Sequence, residues 1–591
     1  MHVLLLASAF NSLTQRVHAE LRDHGHSVAV ELALPDRPLA EAVRRHAPDL
    51  VLAPMLRTAI PEEVWSAHPC LIVHPGPVGD RGPASLDWAV QEGRTRWGVT
   101  VLQAEAEMDA GPVWATAECT VPPVGKSDLY RGEIADAALE AVLLAVERFA
   151  SGTYLPRPQH HAAARPALRQ EDRRIDWEAD GTERVLRVLR AADSRPGVRD
   201  ELLGARWYLH GGHPEDRLRG RPGDLLATRA GAVCRATADG AVWIPELRAA
   251  HAPGEPPAPR LPAVLALGDR LPPLREHPAP PHPEPGGPGR PTWSDIRYRE
   301  EGQTGFLSFS FPSGAMDTDR CRRLLEAYRS ALSRPTSVLV LGGGRDFFSN
   351  GIHLGVIEAA ADPAAESWAN INAMDDLVEA VLTTTDRLVV AALGGNAAAG
   401  GAMFALAADE VWCRSGVVLS PHYRLMGLYG SEYWTYTLPA RVGGATAARL
   451  TEDALPLSAD AALSLGLSDR TLACPPEAFA EETARLAARL AALPATSARI
   501  AAKKARREQD EARRPLASYR QAELDRMKRT FDDPHAPYHA LRRAFVRKEP
   551  ARQTPPHLTR RTAPAPGAAR PAGPRVTGPA VQDSASPAGP C

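Results

Sequence analysis

His74 and Asp109 are two side chains in this 591-residue sequence whose types suit proton transfer. The histidine directly follows the apolar run LIV (71–73), and the aspartate stands 35 positions later. An imidazole accepts and returns a proton near neutral pH, and a neighbouring carboxylate can orient it and stabilise its protonated form. We interpret the two residues as a base and its orienting acid. The alternative for His74 taken alone is an ordinary loop histidine.

Glu432 is a second candidate for acid and base chemistry. It stands in the stretch SPHYRLMGLYGSEYW (420–434), which also contains His422, Tyr423, Tyr429 and Tyr433. A carboxyl group among aromatic rings loses hydration, which raises its pKa towards neutrality. The alternative is a surface glutamate at the start of a helix, beside ordinary core aromatics.

The N-terminal half contains the elements that must position His74. Apolar runs alternate there with helix-like stretches, which predicts a parallel sheet with helices on its faces. The runs are VLLLA (3–7), DLVLAPML (49–56) and CLIVHPG (70–76), and the helical stretches are LTQRVHAELRDHG (13–25) and LAEAVRRHA (39–47). Such sheets bind ligands beyond the carboxyl ends of their strands, and His74 falls at that position.

Two proline-rich segments divide the chain. We count 14 prolines in residues 251–293 and nine in residues 551–591. Because proline interrupts helices and ladders, we predict a semi-rigid spacer for the first segment and disorder for the second. The predicted organisation is an N-terminal domain at 1–165, a small domain at 166–250, a linker at 251–293, a C-terminal domain at 294–548 and a tail at 549–591.

The composition excludes several classes of protein. Lys and Arg total 69 and Asp and Glu total 71, so the chain lacks the basic excess of a nucleic-acid binder. The seven cysteines stand singly, and no histidine lies at metal-ligand spacing from them, so we expect neither a disulfide framework nor a metal centre. The N-terminal apolar run lacks a basic leader, and no run of about 18 apolar residues occurs. We therefore expect a cytoplasmic protein that does not bind membranes.

The motifs around His74 resemble those of a known family. The stretches IVHPGPVGDRGP (72–83), GVT (98–100) and DAG (109–111) match, in order and spacing, the 10-formyltetrahydrofolate-dependent formyltransferases of the methionyl-tRNA formyltransferase type. The stretch RRIDWEADGTERVLRVLRAADSRPG (173–197) resembles the entry to that family's small C-terminal domain. The resemblance implies 10-formyltetrahydrofolate as a one-carbon donor, with a folate-site motif that contains Ile72, Arg81, Gly82 and Pro83.

Ile72 departs from the family pattern, which has an asparagine two positions before the histidine. Formyl transfer passes through a tetrahedral adduct, and an isoleucine cannot donate a hydrogen bond to its oxyanion. Loss of one such donor typically costs about 10²–10³ in rate. Either another donor substitutes, the acceptor is unusually reactive, or the site binds without transferring.

The C-terminal half resembles the enoyl-CoA hydratase/isomerase, or crotonase, superfamily. The matching stretches are FFSNGIHL (347–354), GNAAAGG (395–401) and LPLSADAALSLGLSD (455–469). The resemblance implies that the N–H groups of Ile352 and Gly400 polarise the carbonyl oxygen of a coenzyme A thioester. A helix that begins near Gly400 would add its positive end. The surrounding CoA and oxyanion motif contains Gly351, Ala399 and Gly401, and the alternative is that these glycines merely permit tight turns.

Two departures from the crotonase pattern indicate a different reaction. Hydratases of this superfamily use two glutamates, and their places are taken here by Met403 and, approximately, by Pro421-His422-Tyr423. Water addition across a double bond is therefore excluded. We assign proton handling to Glu432 and hydrogen bonding or proton donation to Tyr423.

The combination of the two halves resembles the hydrogenase maturation factors of the HypX/HoxX type. That resemblance implies formyl transfer from folate to coenzyme A, followed by decarbonylation of formyl-CoA to CO for the iron of [NiFe]-hydrogenase. Hydrogenase maturation proteins are then the expected partners. The alternatives are a formyl-CoA hydrolase that releases formate and a non-catalytic carrier that binds folate and CoA. The oligomeric state and the presence of a channel between the two sites stay open.

Overall fold

The computed structural model describes residues 1–35, 38–160, 164–252, 254–279, 290 and 292–562. The first domain is an α/β unit. Its elements are β1 (His2–Ala7), α1 (Ser12–Asp23), β2 (Ser27–Leu32), α2 (Leu39–His46), β3 (Leu50–Met55), α3 (Glu62–Trp65), β4 (Cys70–His74), α4 (Ser85–Gln91), β5 (Arg96–Gln103), β6 (Val113–Thr120), α5 (Lys126–Arg131) and α6 (Glu133–Ser151). The predicted alternation of strands and helices is confirmed.

The sheet of this domain has the order β2-β1-β3-β4-β5-β6. The first four strands run parallel, whereas β5 and β6 are antiparallel to their neighbours. Every residue of β1 is buried, because apolar helix faces cover both sides of the sheet. The carboxyl ends of β1, β3 and β4 share one edge, and His74 is the last residue of β4.

The second domain packs one long helix against two four-stranded sheets, with orders β10-β11-β12-β9 and β14-β13-β8-β7. Its elements are α7 (Thr182–Ala192), β7 (Val198–Leu202), β8 (Ala205–His210), β9 (His213–Glu215), β10 (Leu225–Arg229), β11 (Ala232–Ala236), β12 (Ala241–Ile244), β13 (Glu246–Ala249), β14 (Arg260–Pro262) and α8 (Ala263–Leu267).

Part of the segment predicted as a spacer, 251–293, belongs to this second domain. Strand β14 pairs with β13 at the edge of a sheet, and α8 follows it directly. Ala263 and Leu267 are buried in the core, so the apolar run LPAVLAL (261–267) outweighs the surrounding prolines. Pro262 precedes the helix, where its missing N–H leaves no helical bond unmade. Residues 253, 280–289 and 291 of the predicted linker lie outside the described residues.

The third domain contains a six-stranded and a four-stranded sheet, with orders β15-β16-β17-β19-β21-β24 and β18-β20-β22-β23. Its elements are β15 (Ile296–Glu301), β16 (Thr304–Phe309), α9 (Thr318–Leu332), β17 (Val338–Gly342), β18 (Phe347–Ser349), α10 (Leu354–Ala359), α11 (Pro363–Thr383), β19 (Leu388–Leu393), β20 (Asn396–Ala398), α12 (Gly400–Leu406), β21 (Glu410–Arg414), β22 (Val418–Ser420), α13 (Trp434–Val442), α14 (Gly444–Asp453), β23 (Leu457–Ser458), α15 (Ala459–Leu465), β24 (Arg470–Leu472), α16 (Phe479–Ala492), α17 (Thr496–Arg513), α18 (Leu516–Asp532) and α19 (Pro537–Val546). None of the helices described in the chain is both long and apolar enough to cross a membrane.

The small sheet of the third domain brings three predicted site segments together. Strands β18, β20 and β22 are neighbours and run parallel, so their carboxyl ends meet at one edge. Ile352 follows β18, Gly400 follows β20 and Tyr423 follows β22. The crotonase-like α/β fold expected from the sequence is confirmed, and it explains why residues about 70 positions apart share one site.

The beginning of the predicted disordered tail, residues 549–562, is ordered against the first domain. A short helix, α20 (Pro556–Thr559), buries Leu558 in the core of that domain, and Thr562 bridges to Val28 in β2. The hydroxyl of Thr554 donates to Glu31 at 2.7 Å. Few apolar residues mark this segment, so the proline count alone did not reveal its contacts. Residues 563–591 lie outside the described residues.

The first and third domains pack directly against each other. Asp136 on α6 joins them, because its carboxylate pairs with Arg16 on α1 at 2.5 Å and with Arg414 on β21 at 2.9 Å. Arg345, after β17, pairs with Glu133 on α6 at 2.5 Å. Direct packing of the two halves, which the sequence left open, is therefore present.

Candidate functional sites

His74 lies between two carboxylates. Its Nε2 is 2.9 Å from Oδ2 of Asp80, and its Nδ1 is 3.5 Å from Oδ1 of Asp109. The imidazole and the Asp80 carboxylate are almost fully buried, whereas Asp109 is slightly more accessible. The structure thus brings the predicted pair His74 and Asp109 together at the carboxyl end of β4.

Asp80 is a site residue that the sequence analysis missed. Its other oxygen, Oδ1, lies 3.5 Å from Nε of Arg165, so Asp80 connects the histidine to a cation. Gly76 makes this contact possible, because a methyl group there would overlap both Asp80 and the ring of His74. The available signal was an acid six positions after the histidine, in a loop opened by a glycine.

Asp109 is held by its backbone as well as by its carboxylate. Its φ of 57° is left-handed, a conformation that aspartate tolerates better than most residues. Oδ2 accepts a hydrogen bond from the Gly82 N–H at 3.2 Å. The side-chain amide of Gln159 donates to the carbonyl oxygens of Asp109 and Gly111, at 3.1 and 2.8 Å. These contacts fix the Asp109 carboxylate beside the imidazole.

The remaining residues of the predicted folate motif surround this pair. Ile72 is two positions before His74 on β4, so both side chains project from the same face, and Ile72 packs against an apolar cluster. Arg81 pairs with Glu107 at 2.6 Å. Pro83 is exposed. Position 72 therefore offers an apolar wall in place of a hydrogen-bond donor.

Glu432 is buried, and only 1% of its surface is exposed. Its Oε2 accepts hydrogen bonds from the Tyr423 hydroxyl at 2.6 Å and from the Ser431 N–H at 3.1 Å. Its Oε1 faces Gly400, where a methyl group would overlap it. The interpretation of Glu432 as a surface residue is therefore wrong, and the structure joins Glu432, Tyr423 and Gly400.

The surroundings of Glu432 favour its neutral form. The pKa of Glu432 is raised from 4.5 to about 8, mainly by burial and secondly by repulsion from the carboxylate of Asp375. The hydrogen bonds from Tyr423 and Ser431 oppose this rise. Burial is also the main cause that raises the pKa of Asp375, and it raises the pKa of Tyr423 well above its usual value. A carboxyl group that titrates near neutral pH can accept and return protons under physiological conditions.

The N–H groups of Ile352 and Gly400 are available for an oxygen ligand. In the described chain, neither of them donates to another atom. Gly351, with φ of 78°, lets the two segments approach, because a methyl group there would lie 3.1 Å from the Gly400 nitrogen. Gly401 similarly faces the carbonyl of Ser349. This backbone cradle suits the carbonyl oxygen of a thioester.

Ala399 replaces a family glycine and still has a positive φ of 48°. Met403, at the place of the first hydratase glutamate, is fully buried in the hydrophobic core. Of the other residues in the 420–434 stretch, Tyr433 is buried, Tyr429 packs against Trp434 with ring centroids 5.3 Å apart, and His422 is half-buried. Among the described residues, no group of three or more His, Cys, Asp or Glu side chains could hold a metal ion.

Three family descriptions match successive parts of the chain. Formyl transferase matches residues 29–146, the Formyl transferase C-terminal domain matches 167–254, and Enoyl-CoA hydratase/isomerase matches 315–551. These matches fall in the first, second and third domains in turn.

Nearly the whole chain is similar to hydrogenase maturation proteins. It is 47% identical over 561 residues to the hydrogenase maturation factor HoxX of Bradyrhizobium diazoefficiens. The aligned region covers 94% of this chain and 96% of HoxX. The structure resembles HypX of Aquifex aeolicus in complex with tetrahydrofolic acid, with a TM-score of 0.90, 42% identity, and coverage of 94% of this chain and 98% of HypX. Methionyl-tRNA formyltransferase of Thermotoga neapolitana is 30% identical over 181 residues, which are 30% of this chain and 58% of that enzyme. The chain belongs to the HoxX/HypX family of hydrogenase maturation factors.

Proposed function

We propose that the protein makes carbon monoxide for the active-site iron of [NiFe]-hydrogenase in two steps. The first domain transfers a formyl group from 10-formyltetrahydrofolate to the thiol of coenzyme A, and the third domain decarbonylates the formyl-CoA. The observation that carries the proposal is the buried carboxyl of Glu432, which is hydrogen-bonded to Tyr423 and lies against Gly400, whose N–H has no acceptor among the described residues. Hydrogenase maturation proteins are the expected recipients of the product.

At the first site, His74 and Asp109 manage the protons of formyl transfer. Because Nε2–H donates to Asp80, the neutral imidazole takes the proton of the attacking thiol at Nδ1, on the side of Asp109, and returns it to the folate nitrogen as that nitrogen leaves. Because Asp80 and Asp109 lie on either side of the ring, they stabilise the imidazolium that forms between these events. This stabilisation of the cation supports catalysis at a site where Ile72 supplies no donor.

Replacing Asp80 with asparagine is expected to slow formyl transfer by about 10–100-fold, because the imidazolium loses one of its two carboxylate partners. The measurement is the rate of formyl-CoA formation from 10-formyltetrahydrofolate and CoA. Asp172→Asn, an exposed change in the same half, is the matched control. A rate for Asp80→Asn equal to that of the control would remove Asp80 from the mechanism.

At the second site, the N–H groups of Ile352 and Gly400 would polarise the formyl oxygen. Glu432 in its carboxylate form removes the formyl proton, and the electrons of the C–H bond stay on carbon as the lone pair of CO. The electrons of the C–S bond leave with sulfur. The thiolate then recovers the proton from Glu432, so CoA is regenerated and the reaction needs no oxidant or reductant. The Tyr423 hydroxyl stabilises the Glu432 carboxylate before proton transfer.

Gly400→Ala is expected to reduce CO release by about 10²-fold or more, because the added methyl overlaps the Glu432 carboxyl and displaces it from the proton it must reach. Gly444→Ala is the control, since no atom lies within 4 Å of a methyl group at that position. CO release and the thermal midpoint are measured for both variants. A normal rate in Gly400→Ala would contradict the proposed position of Glu432.

Direct packing of the two halves supports passage of the formyl group between the sites on the CoA arm. Asp136 and Glu133 on the first domain are paired with arginines of the third, so the two domains contact each other directly and are not joined by the proline-rich segment alone. A thioester that stays within the protein is protected from hydrolysis.

The test of the whole reaction uses 10-formyltetrahydrofolate that carries a ¹³C formyl group. Purified protein is supplied with the labelled folate, with and without CoA, and bound ¹³CO is detected with deoxymyoglobin while labelled formate is followed in solution. CoA-dependent ¹³CO is the expected result. Labelled formate without CO would support a formyl-CoA hydrolase, and an untouched folate pool would support a carrier.

A further inference from the structure

Glu432 and Tyr433 form an unusual turn at the start of α13. Their φ angles are 60° and 58°, so two successive residues other than glycine have left-handed backbone. Such a conformation costs free energy and persists only where the surroundings hold it in place. The turn directs the Glu432 side chain back towards Gly400 and Tyr423.

Asp375 on α11 anchors the first residue of this turn. The Glu432 N–H donates to Oδ1 of Asp375 at 2.8 Å, and the Ser431 hydroxyl lies 2.8 and 2.7 Å from the two carboxylate oxygens. Asp375 is fully buried. Among the described residues, the cation that pairs with it is Arg520, whose Nε lies 3.9 Å from Oδ2 of Asp375.

Glu523 on α18 anchors the second residue. The Tyr433 N–H donates to Oε2 of Glu523 at 2.9 Å, and the Thr435 N–H donates to Oε1 at 2.8 Å. The Thr435 hydroxyl donates to Oε1 as well. Glu523 is fully buried and accepts hydrogen bonds from N–H groups at the start of α13 that have no partner within the helix, in the manner of a helix cap.

Two buried carboxyl groups are thus used to hold a third. Neither is part of the crotonase motifs, and each accepts backbone N–H bonds from the residues that flank or form the turn. We propose that Asp375 and Glu523 are positioning residues, which hold the Glu432 carboxyl in place by anchoring the backbone of its turn. This inference rests on the proposed function for its consequence in catalysis, although the anchoring itself can be measured without turnover.

Asp375 also acts on the charge of Glu432. The titratable groups that face Glu432 come from α9, α11, α18 and the loop after β22, and they are Cys321, Asp375, Glu523 and Tyr423. The charged group Arg520 on α18 faces Asp375. A carboxylate at Asp375 repels a second negative charge at Glu432 and favours its protonated form. Removing that charge lowers the pH at which Glu432 ionises.

The test is an infrared titration of the Glu432 carboxyl in the full-length protein. The carbonyl band of the protonated acid is followed against pH, and the spectrum of Glu432→Gln is subtracted so that only this group contributes. Asp375→Asn keeps the size of the side chain and an oxygen acceptor for the Glu432 N–H, but it removes the charge. The expected result is a titration at least about one pH unit lower than in the wild type. Asp525→Asn, an exposed change on α18, is the control and leaves the titration unchanged.

Asp375→Ala removes the anchor as well as the charge. In this variant the carbonyl band is expected to shift in frequency too, because the displaced Glu432 loses its hydrogen bond from Tyr423. Glu523→Gln, which keeps one oxygen acceptor and lies next to Tyr433, is expected to change the frequency with a smaller change in the titration. A Glu432 band whose frequency is unchanged in both Asp375→Ala and Glu523→Gln overturns the inference, and if Asp375→Ala fails to fold, an unchanged frequency in Glu523→Gln overturns it.

Measurements on the wild-type protein test the proposed function separately from the positioning role. If the wild type releases no CO from formyl-CoA but Asp375→Ala or Glu523→Gln shifts the frequency of the Glu432 band, the positioning role stands and the proposed function falls. If the wild type releases CO, the acid limb of its pH profile is expected to move to lower pH in Asp375→Asn. CO release by the wild type, together with an unmoved acid limb in Asp375→Asn and an unmoved band frequency in Glu523→Gln, contradicts the positioning role alone.

Discussion

Glu432→Gln is expected to lower CO release from formyl-CoA by about 10²–10⁴-fold, the range in which positioned acids and bases contribute. Glutamine preserves the size of the side chain and an acceptor for the Tyr423 hydroxyl, but it cannot take the formyl proton. In the wild type, the rate is expected to rise with pH through the raised pKa of Glu432, about 8, because only the ionised form is a base. The variant should lose this dependence.

The affinity of Glu432→Gln for CoA shows whether the substitution removed only the base or also damaged the binding pocket. The cradle formed by the Ile352 and Gly400 N–H groups is backbone, so the affinity of Glu432→Gln for CoA should stay within about threefold of the wild-type value. Glu481→Gln, an exposed change on α16, is the control for the same chemical replacement. Undiminished CO release in Glu432→Gln would remove this residue from the mechanism, and lost CoA affinity would assign it to binding.

His74→Ala is expected to reduce formyl transfer from 10-formyltetrahydrofolate to CoA by about 10²–10⁴-fold. The side chain that exchanges protons is lost, and the carboxylates of Asp80 and Asp109 are left without the imidazole between them. Decarbonylation of formyl-CoA supplied directly should be unchanged, because the two sites lie in different domains. The measurement is therefore CO release from each of the two starting compounds.

His24→Ala is the matched control for this variant, since His24 is exposed at the end of α1 in the same domain. A thermal melt of His74→Ala checks that the buried carboxylates do not unfold the domain. If His74→Ala also failed to release CO from formyl-CoA, the two sites would not be independent. If it transferred formyl groups normally, the first domain would act only as a folate-binding unit.

The two variants together distinguish the proposed reaction from its alternatives. A relay through formyl-CoA requires that each variant block one step and leave the other intact. A formyl-CoA hydrolase would lose formate release, not CO release, in Glu432→Gln. A carrier would show no dependence on either side chain beyond its affinity for folate or CoA.

Several features of the fold could be predicted from local sequence. The strands of the first domain are continuous apolar runs because parallel strands are covered on both faces, and β1 is buried throughout. The crotonase-like fold of the third domain was indicated by the order of the glycine-containing motifs. Local patterns were less informative for 251–293 and 549–562, where a few apolar residues such as Leu267 and Leu558 decide the packing among many prolines.

The sequence by itself determined the types and order of the principal groups: His74 after a strand, Asp109 in its motif, the glycines around position 400, and Glu432 among aromatics. Each of these signals is local, because strand ends, turns and motif spacings are short-range properties of the chain. Only the tertiary structure decided which carboxylates meet them. Asp80 reaches His74 because Gly76 lets the loop fold back. Asp375 and Glu523 come from helices 57 and 90 positions away from the residues they hold, and contacts at such separations depend on packing that no local pattern encodes.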